Sequence, residues 1–242
     1  MLTTEQLTGR DERHLVALAR GHRLQPLAAA AFARLRGDAR EAGFDLAIAS
    51  SYRSFERQRL IWNGKAGGER PVHDDVGNAV AILALPAAER IRAILRFSAL
   101  PGTSRHHWGT DLDVYDAAAV PDDYVLQLSP QEVAPGGVFD RLHRWLDAQM
   151  AAGTSHGFYR PYGVDRGGVA PERWHLSYAP LAAGCGGRVT AALLRDCWDC
   201  EREPLLLRSE LEARLPELLE RYVEVPADWC PSPFVDGDAG GS

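Results

Sequence analysis

The sequence predicts an α+β fold, a mixture of helices and short strands, on three observations. Alanine- and leucine-rich stretches with helical spacing are interleaved with short runs of alternating, β-type residues. The chain of 242 residues, 45% hydrophobic and 25% charged, can bury the core of one large domain or of one domain with an appendage. No internal repeat, low-complexity tract or linker divides it.

Taken in order, residues 5–20 and 26–42 read as helices, with Leu27, Ala31, Leu35 and Ala39 able to share a face and Gly43 ending the second. A strand follows at 45–51, then a helix from about Ser54, its candidate N-cap, to Trp62. Residues 64–80 carry glycine, proline and charge without period and read as a loop, and 86–99 as a helix opened by proline. A turn at 101–104 leads into the strand TDLDVYD, whose Asp111 and Asp113 point to one face while Leu112 and Val114 point to the other. Beyond a polar loop at 117–134 come a helix at 137–152, a strand and turn at 156–163, and a strand in ERWHLSYAP ending at Pro180. Residues 187–223 read as two amphipathic helices split near Pro204, and PSPFVDGDAGGS as a frayed tail. This divides the chain into a motif-bearing domain at 1–185, with its core at about 44–180 and N-terminal helices at 5–42, and a C-terminal helical extension at 186–242.

A net charge of −6 gives no general attraction to nucleic acid or anionic membranes, so neither is expected as a partner. The N-terminus has no apolar signal segment, and no stretch is long enough to span a bilayer, which predicts a cytoplasmic location. The cysteines, Cys185, Cys197, Cys200 and Cys230, are expected to be reduced. Cys197 and Cys200 have CxxC spacing but no second pair, and read as small residues on one helix face.

The chemistry concentrates in SRHHWGTDLDVYD, residues 104–116. A catalytic zinc needs three His or carboxylate ligands, an open position for water and a base beside it. His106 can fold back across a Gly109 turn over the strand face that presents Asp113, and strand pairing can bring His175 alongside with Glu172 close by. A lone histidine is more often structural, so spacing alone leaves both readings open.

Four blocks then carry a resemblance. Ser104-x-His106-x-x-Gly109-x-Asp111-x-Asp113 resembles the SxHxxGxAxD motif of the VanY-type zinc D-alanyl-D-alanine carboxypeptidases, and Glu172-Arg-Trp174-His175 resembles their ExWH. Ser50-Ser-Tyr52-Arg53-Ser54-Phe-Glu-Arg-Gln58 is similar to their SxYRSxxxQ, and His156-Gly157-Phe158 with Arg160 and Pro161 to the stretch before ExWH. The resemblance implies a small antiparallel sheet flanked by helices, as in the wider group that includes hedgehog. It implies one Zn2+ per chain held by His106, Asp113 and His175, with Glu172 as general base and Arg53 beside the oxyanion. Zinc lowers the pKa of bound water to about 7, and two neutral histidines with one aspartate leave the site a net charge of about +1. Gln58, Ser104, Tyr52 and Trp174 are expected to line the substrate pocket; His107 is not expected to be a ligand.

The implied reaction is hydrolysis of a peptide bond next to a D-amino acid in a peptidoglycan stem peptide or muropeptide, releasing terminal D-alanine as a D,D- or L,D-carboxypeptidase. A peptidoglycan endopeptidase and a non-catalytic zinc-binding module are the alternatives; the location fits a cytoplasmic enzyme or a phage-derived one released by lysis. Two positions depart from the family: Asp111 replaces a small residue and Arg173 a proline. Asp111 is expected to receive a cation, whether Arg173, Arg105 or a substrate ammonium, or else to be a solvated strand-entrance carboxylate.

Overall fold

The computed structural model describes residues 1–226, Trp229 and Pro231; the rest of the predicted tail, and Cys230, lie outside them. In chain order the elements are α1 (Thr4–Leu7), β1 (Val16–Ala17), β2 (Arg23–Leu24), α2 (Pro26–Glu41), β3 (Leu46–Ser50), α3 (Phe55–Ala66) and α4 (Ala87–Leu95). They continue with β4 (Asp111–Asp116), α5 (Pro130–Val133), α6 (Asp140–Ala151), β5 (Phe158–Tyr159), β6 (His175–Tyr178), α7 (Ala179–Ala182), α8 (Ala191–Asp199) and α9 (Arg208–Tyr222). The fold is α+β, with a four-stranded sheet in the order β3-β4-β6-β5 whose neighbours all pair antiparallel.

The alternation in DLDVYD sorts the sheet into two faces. Leu112, Val114, Leu176, Phe158 and Leu46 pack with Ala28, Ala31, Phe32, Leu35 and Ala39 of α2 and with Leu142 and Leu146 of α6. The buried stripe of α2 therefore starts at Ala28; Leu27, expected on it, is 60% exposed. The opposite face carries Asp111 and Asp113, paired with Ser177 and His175 of β6. A second apolar cluster joins α3, α4, α8 and α9 through Phe55, Trp62, Ile91, Leu194 and Leu215, so the C-terminal helices share a core with the helix that follows Arg53. Ser54 caps α3 by accepting from the Arg57 N–H.

The helix expected at 5–20 does not form beyond Leu7. Gly9 takes φ +76°, and a Cβ there would lie 2.4 Å from His107 Nδ1. The chain then turns back as the β1/β2 hairpin, with Arg20 and Gly21 at positive φ. Its main chain serves the site instead of a helix. The Gly9 carbonyl accepts from the Phe55 N–H and the Tyr52 hydroxyl, and Gln25 donates from its backbone to the Gly109 carbonyl and from its side chain to that of Trp108.

Cys185, Cys197 and Cys200 are free thiols. Among the described residues no helix is long and apolar enough to cross a membrane.

Candidate active site

Residues Arg105–Trp108 form a single 3-10 turn that Gly109, at φ +68°, redirects into β4. The positive φ calls for glycine here, and a Cβ would in addition displace the tip of Leu15, whose Cδ2 would lie 2.2 Å away. The turn lays His106 over the strand face, as the spacing predicts. His106 Nε2 lies 3.3 Å from Asp113 Oδ2, and His175 Nδ1 lies 3.1 Å from Asp113 Oδ1. Ligand atoms of His106, Asp113 and His175 all fall within 4.8 Å of one another, and all three side chains are buried.

This trio fits a zinc ion. Each Asp113 oxygen faces an imidazole nitrogen, giving the two-nitrogen, one-oxygen donor set of a catalytic zinc. Burial pushes the His106 imidazole down toward its neutral, ligand form, and His106 Nδ1 is buried without a hydrogen-bond partner. Burial also opposes charge on Asp113 and His175. The field of His106 nonetheless holds Asp113 well below the usual carboxylate range, and the hydrogen bonds of Asp111 and Asp113 hold His175 up to about 9.

Glu172 precedes β6, with Oε2 3.8 Å from His175 Nδ1 and a side chain 12% exposed. Burial pushes its carboxyl up to about 7, against the opposing field of His175. Arg53 follows the irregular end of β3, where the register shifts between Ile48 and Ser50. Its backbone is tied to the metal turn at both ends: the Arg53 N–H donates to the His106 carbonyl, and its own carbonyl lies 2.6 Å from His107 Nδ1. Its guanidinium donates to Gln58 Oε1 at 2.8 Å and to Ser50 Oγ at 3.4 Å.

These groups border a cavity of about 550 Å³ whose wall includes Arg53, Ser104, His106, Asp113, Glu172 and Trp174. Three residues expected to touch substrate do not line it. Gln58 is fully buried behind Arg53, donating to the Ala99 carbonyl at 2.7 Å. Tyr52 points away, its hydroxyl on the Gly9 carbonyl. Asp111 is completely buried and pairs with Arg105 at 2.7 Å, so of the cations considered it receives Arg105. Arg173 instead holds the Val133 carbonyl, Asp140 and Asp147.

Lys65 is the residue that sequence reasoning passed over. It lines the cavity from α3, and burial and the like charge of Arg53 push its amine down to about 8. Its place on the face of Gln58 and Trp62 was the available signal. The end of α9 also reaches the wall, at Tyr222 and Val223.

His107 is a bracket, not a ligand. With Nδ1–H donating to Arg53, its Nε2 accepts from the Gly102 N–H at 3.1 Å, an arrangement only neutral imidazole satisfies. Burial pushes it down to about 3, whereas an unfolded chain protonates histidine near 6.5. Between these values the unfolded state binds the extra proton, so this contribution is intact above pH ~6.5 and falls by about 1.4 kcal/mol per pH unit well below it. Urea midpoints measured from pH 7 to 4 should decline, and less steeply in His107→Asn; equal slopes would contradict this assignment.

The family model described as D-alanyl-D-alanine carboxypeptidase, VanY, matches residues 21–181. An uncharacterized protein of Haemophilus influenzae is 50% identical over 103 residues, 41% of this chain and 70% of its own length. A second from the same organism is 32% identical over 126 residues, 51% of this chain and 92% of its own. Among solved structures, a mutant of the vancomycin-resistance D,D-pentapeptidase VanY in complex with Zn(II) is 24% identical, with a TM-score of 0.48, covering 71% of this chain and 82% of that one. The LdcB LD-carboxypeptidase is 19% identical, with a TM-score of 0.48, covering 71% and 70%.

Proposed function

The chain belongs to the VanY D-alanyl-D-alanine carboxypeptidase family, and on that premise we propose that it is a zinc carboxypeptidase releasing terminal D-alanine from a peptidoglycan stem peptide or muropeptide. The observation that carries this reading is the convergence of His106, Asp113 and His175 on one point, with Glu172 and Arg53 on the same cavity wall. His106, Asp113 and His175 would hold the ion. When bound, zinc would polarise the attacking water and the scissile carbonyl.

The chain's own residues supply the rest. Glu172 takes the proton of the attacking water and delivers it to the departing amine, work suited to a carboxyl poised near neutrality. Arg53, oriented by Gln58, places a cation where negative charge develops on the carbonyl oxygen. Lys65 gives the cavity a cation besides Arg53 that, among the described residues, has no buried carboxylate partner of the kind Arg105 has in Asp111, suited to the free carboxylate that distinguishes a chain terminus from a peptide interior.

Residues of the 71–77 and 127–131 segments wall the cavity. Arg96 ties the first of these to the 160–170 loop, pairing with Asp75 at 2.6 Å and Asp165 at 2.5 Å. The test is mass spectrometry of defined muropeptides incubated with zinc-loaded protein. Loss of one terminal D-alanine is expected, abolished by chelator and by amidation of the terminal carboxylate. Cleavage within the stem or cross-link would make the protein an endopeptidase, and an unchanged substrate pool would overturn catalysis.

A further inference from the structure

Asp111 is the charge for which the family pattern has no place, and its surroundings give it one. It sits two residues before Asp113 on the same face of β4, while His175 lies directly opposite Asp113 on β6. Two such positions on a strand are about 7 Å apart. The His175 ring spans that gap, with Nδ1 3.1 Å from Asp113 Oδ1 and Nε2 3.0 Å from Asp111 Oδ1. Nδ1 is also the nitrogen that faces Glu172.

Asp111 is not itself placed to bind a metal ion. Its Oδ1 takes Arg105 Nε at 2.7 Å as well as His175, and its Oδ2 takes the Thr110 hydroxyl at 2.5 Å. Arg105 is fixed in turn: it donates to Ser177 Oγ at 2.6 Å and Tyr159 Oη at 3.1 Å, and its guanidinium lies 4.5 Å from the centre of the Trp108 ring. All of these groups are buried, so Asp111 cannot swing toward the cavity without abandoning a buried cation.

We propose that Asp111 is the positioning residue of His175, accepting its Nε2–H and so leaving the Nδ1 lone pair directed at the point shared with Asp113 and His106. The inference rests on the zinc reading above. A carboxylate on the far nitrogen of a ligating histidine fixes the tautomer, locks the ring and raises its basicity as a donor. Arg105 balances the charge of Asp111, so the net charge at the ligand trio is set by Asp113 alone. The Arg105–Asp111 pair thus places an anion behind the ligand without loading the site with a second free carboxylate.

The test compares wild type, Asp111→Asn and Asp111→Ala in zinc affinity, measured by chelator competition, with circular dichroism to establish folding. Removal of a partner of this kind typically weakens metal binding about 10- to 100-fold. That loss is expected for Asp111→Ala, with a smaller one for Asp111→Asn, whose amide oxygen can still accept the Nε2–H. Nitrogen-15 NMR of metal-free wild-type protein should show His175 carrying a hydrogen on Nε2 that is bonded to a carboxylate. This readout requires neither variant to fold, and the zinc affinities separate a positioning role from a merely structural ion pair, which would leave metal binding unchanged. Wild-type affinity in folded Asp111→Ala, or a neutral His175 protonated only on Nδ1, would overturn the inference while leaving the zinc reading standing. Wild-type protein that binds no zinc would overturn both.

Discussion

Glu172→Gln is expected to lower kcat about 10²- to 10⁴-fold, the range for loss of a general acid–base, while zinc content stays near one per chain. The amide matches the carboxylate in size and can fill the same space at the cavity wall. It cannot take a proton from water or return one to an amine. His106, Asp113 and His175 are untouched, so a variant that lost zinc would place Glu172 among the ligands instead. The pH dependence carries the same information. The base works only when ionised, so kcat/KM should fall as pH drops below the Glu172 pKa. Burial, working against the fields of His175, Arg53 and Lys65, holds that value at about 7 in the metal-free chain, and a bound metal cation would lower it further. The acid limb therefore lies at or below pH ~7, and it should vanish in the residual activity of the Gln variant. Metal analysis and pH profiles on one preparation check both halves.

The convergence of His106, Asp113 and His175 was legible because it depends on local rules. A glycine at positive φ turns the chain, a strand alternates its faces, and Asp113 and His175 meet as register partners. What was not legible depends on partners far away in sequence. Residues 5–20 have enough alanine and leucine to suggest a helix, but Gly9 turns the chain at positive φ and its carbonyl is taken by Phe55 and Tyr52. The resemblance points Gln58 toward substrate, and the strand face shared with Asp113 points Asp111 toward the cleft. In the fold they stand one layer back, where Gln58 holds Arg53 and Asp111 holds His175. Residue type announces that a polar group will be used; only packing decides whether substrate or another side chain uses it.

That second layer makes Arg53 the other large expected effect. Arg53→Ala should cost about 10²- to 10³-fold in kcat, the loss seen when one donor to a developing oxyanion is removed, with zinc content unchanged. The fold should tolerate the change, because Arg53 is anchored to the metal turn through its backbone N–H and carbonyl, which alanine retains. Arg53→Lys keeps the charge but loses the planar fork that reaches Gln58 and Ser50 together, so it should recover only part of the rate. Gln58→Leu tests the same geometry from behind. The guanidinium stays but loses its 2.8 Å acceptor, and an intermediate drop in kcat is expected. An interaction made chiefly in the transition state lowers kcat and kcat/KM together, whereas a ground-state contact raises KM alone. If the Arg53 variants changed only KM, the guanidinium would be holding the substrate carboxylate rather than the oxyanion. Lys65 would then have to be reassigned, since Arg53 and Lys65 would be competing for one role.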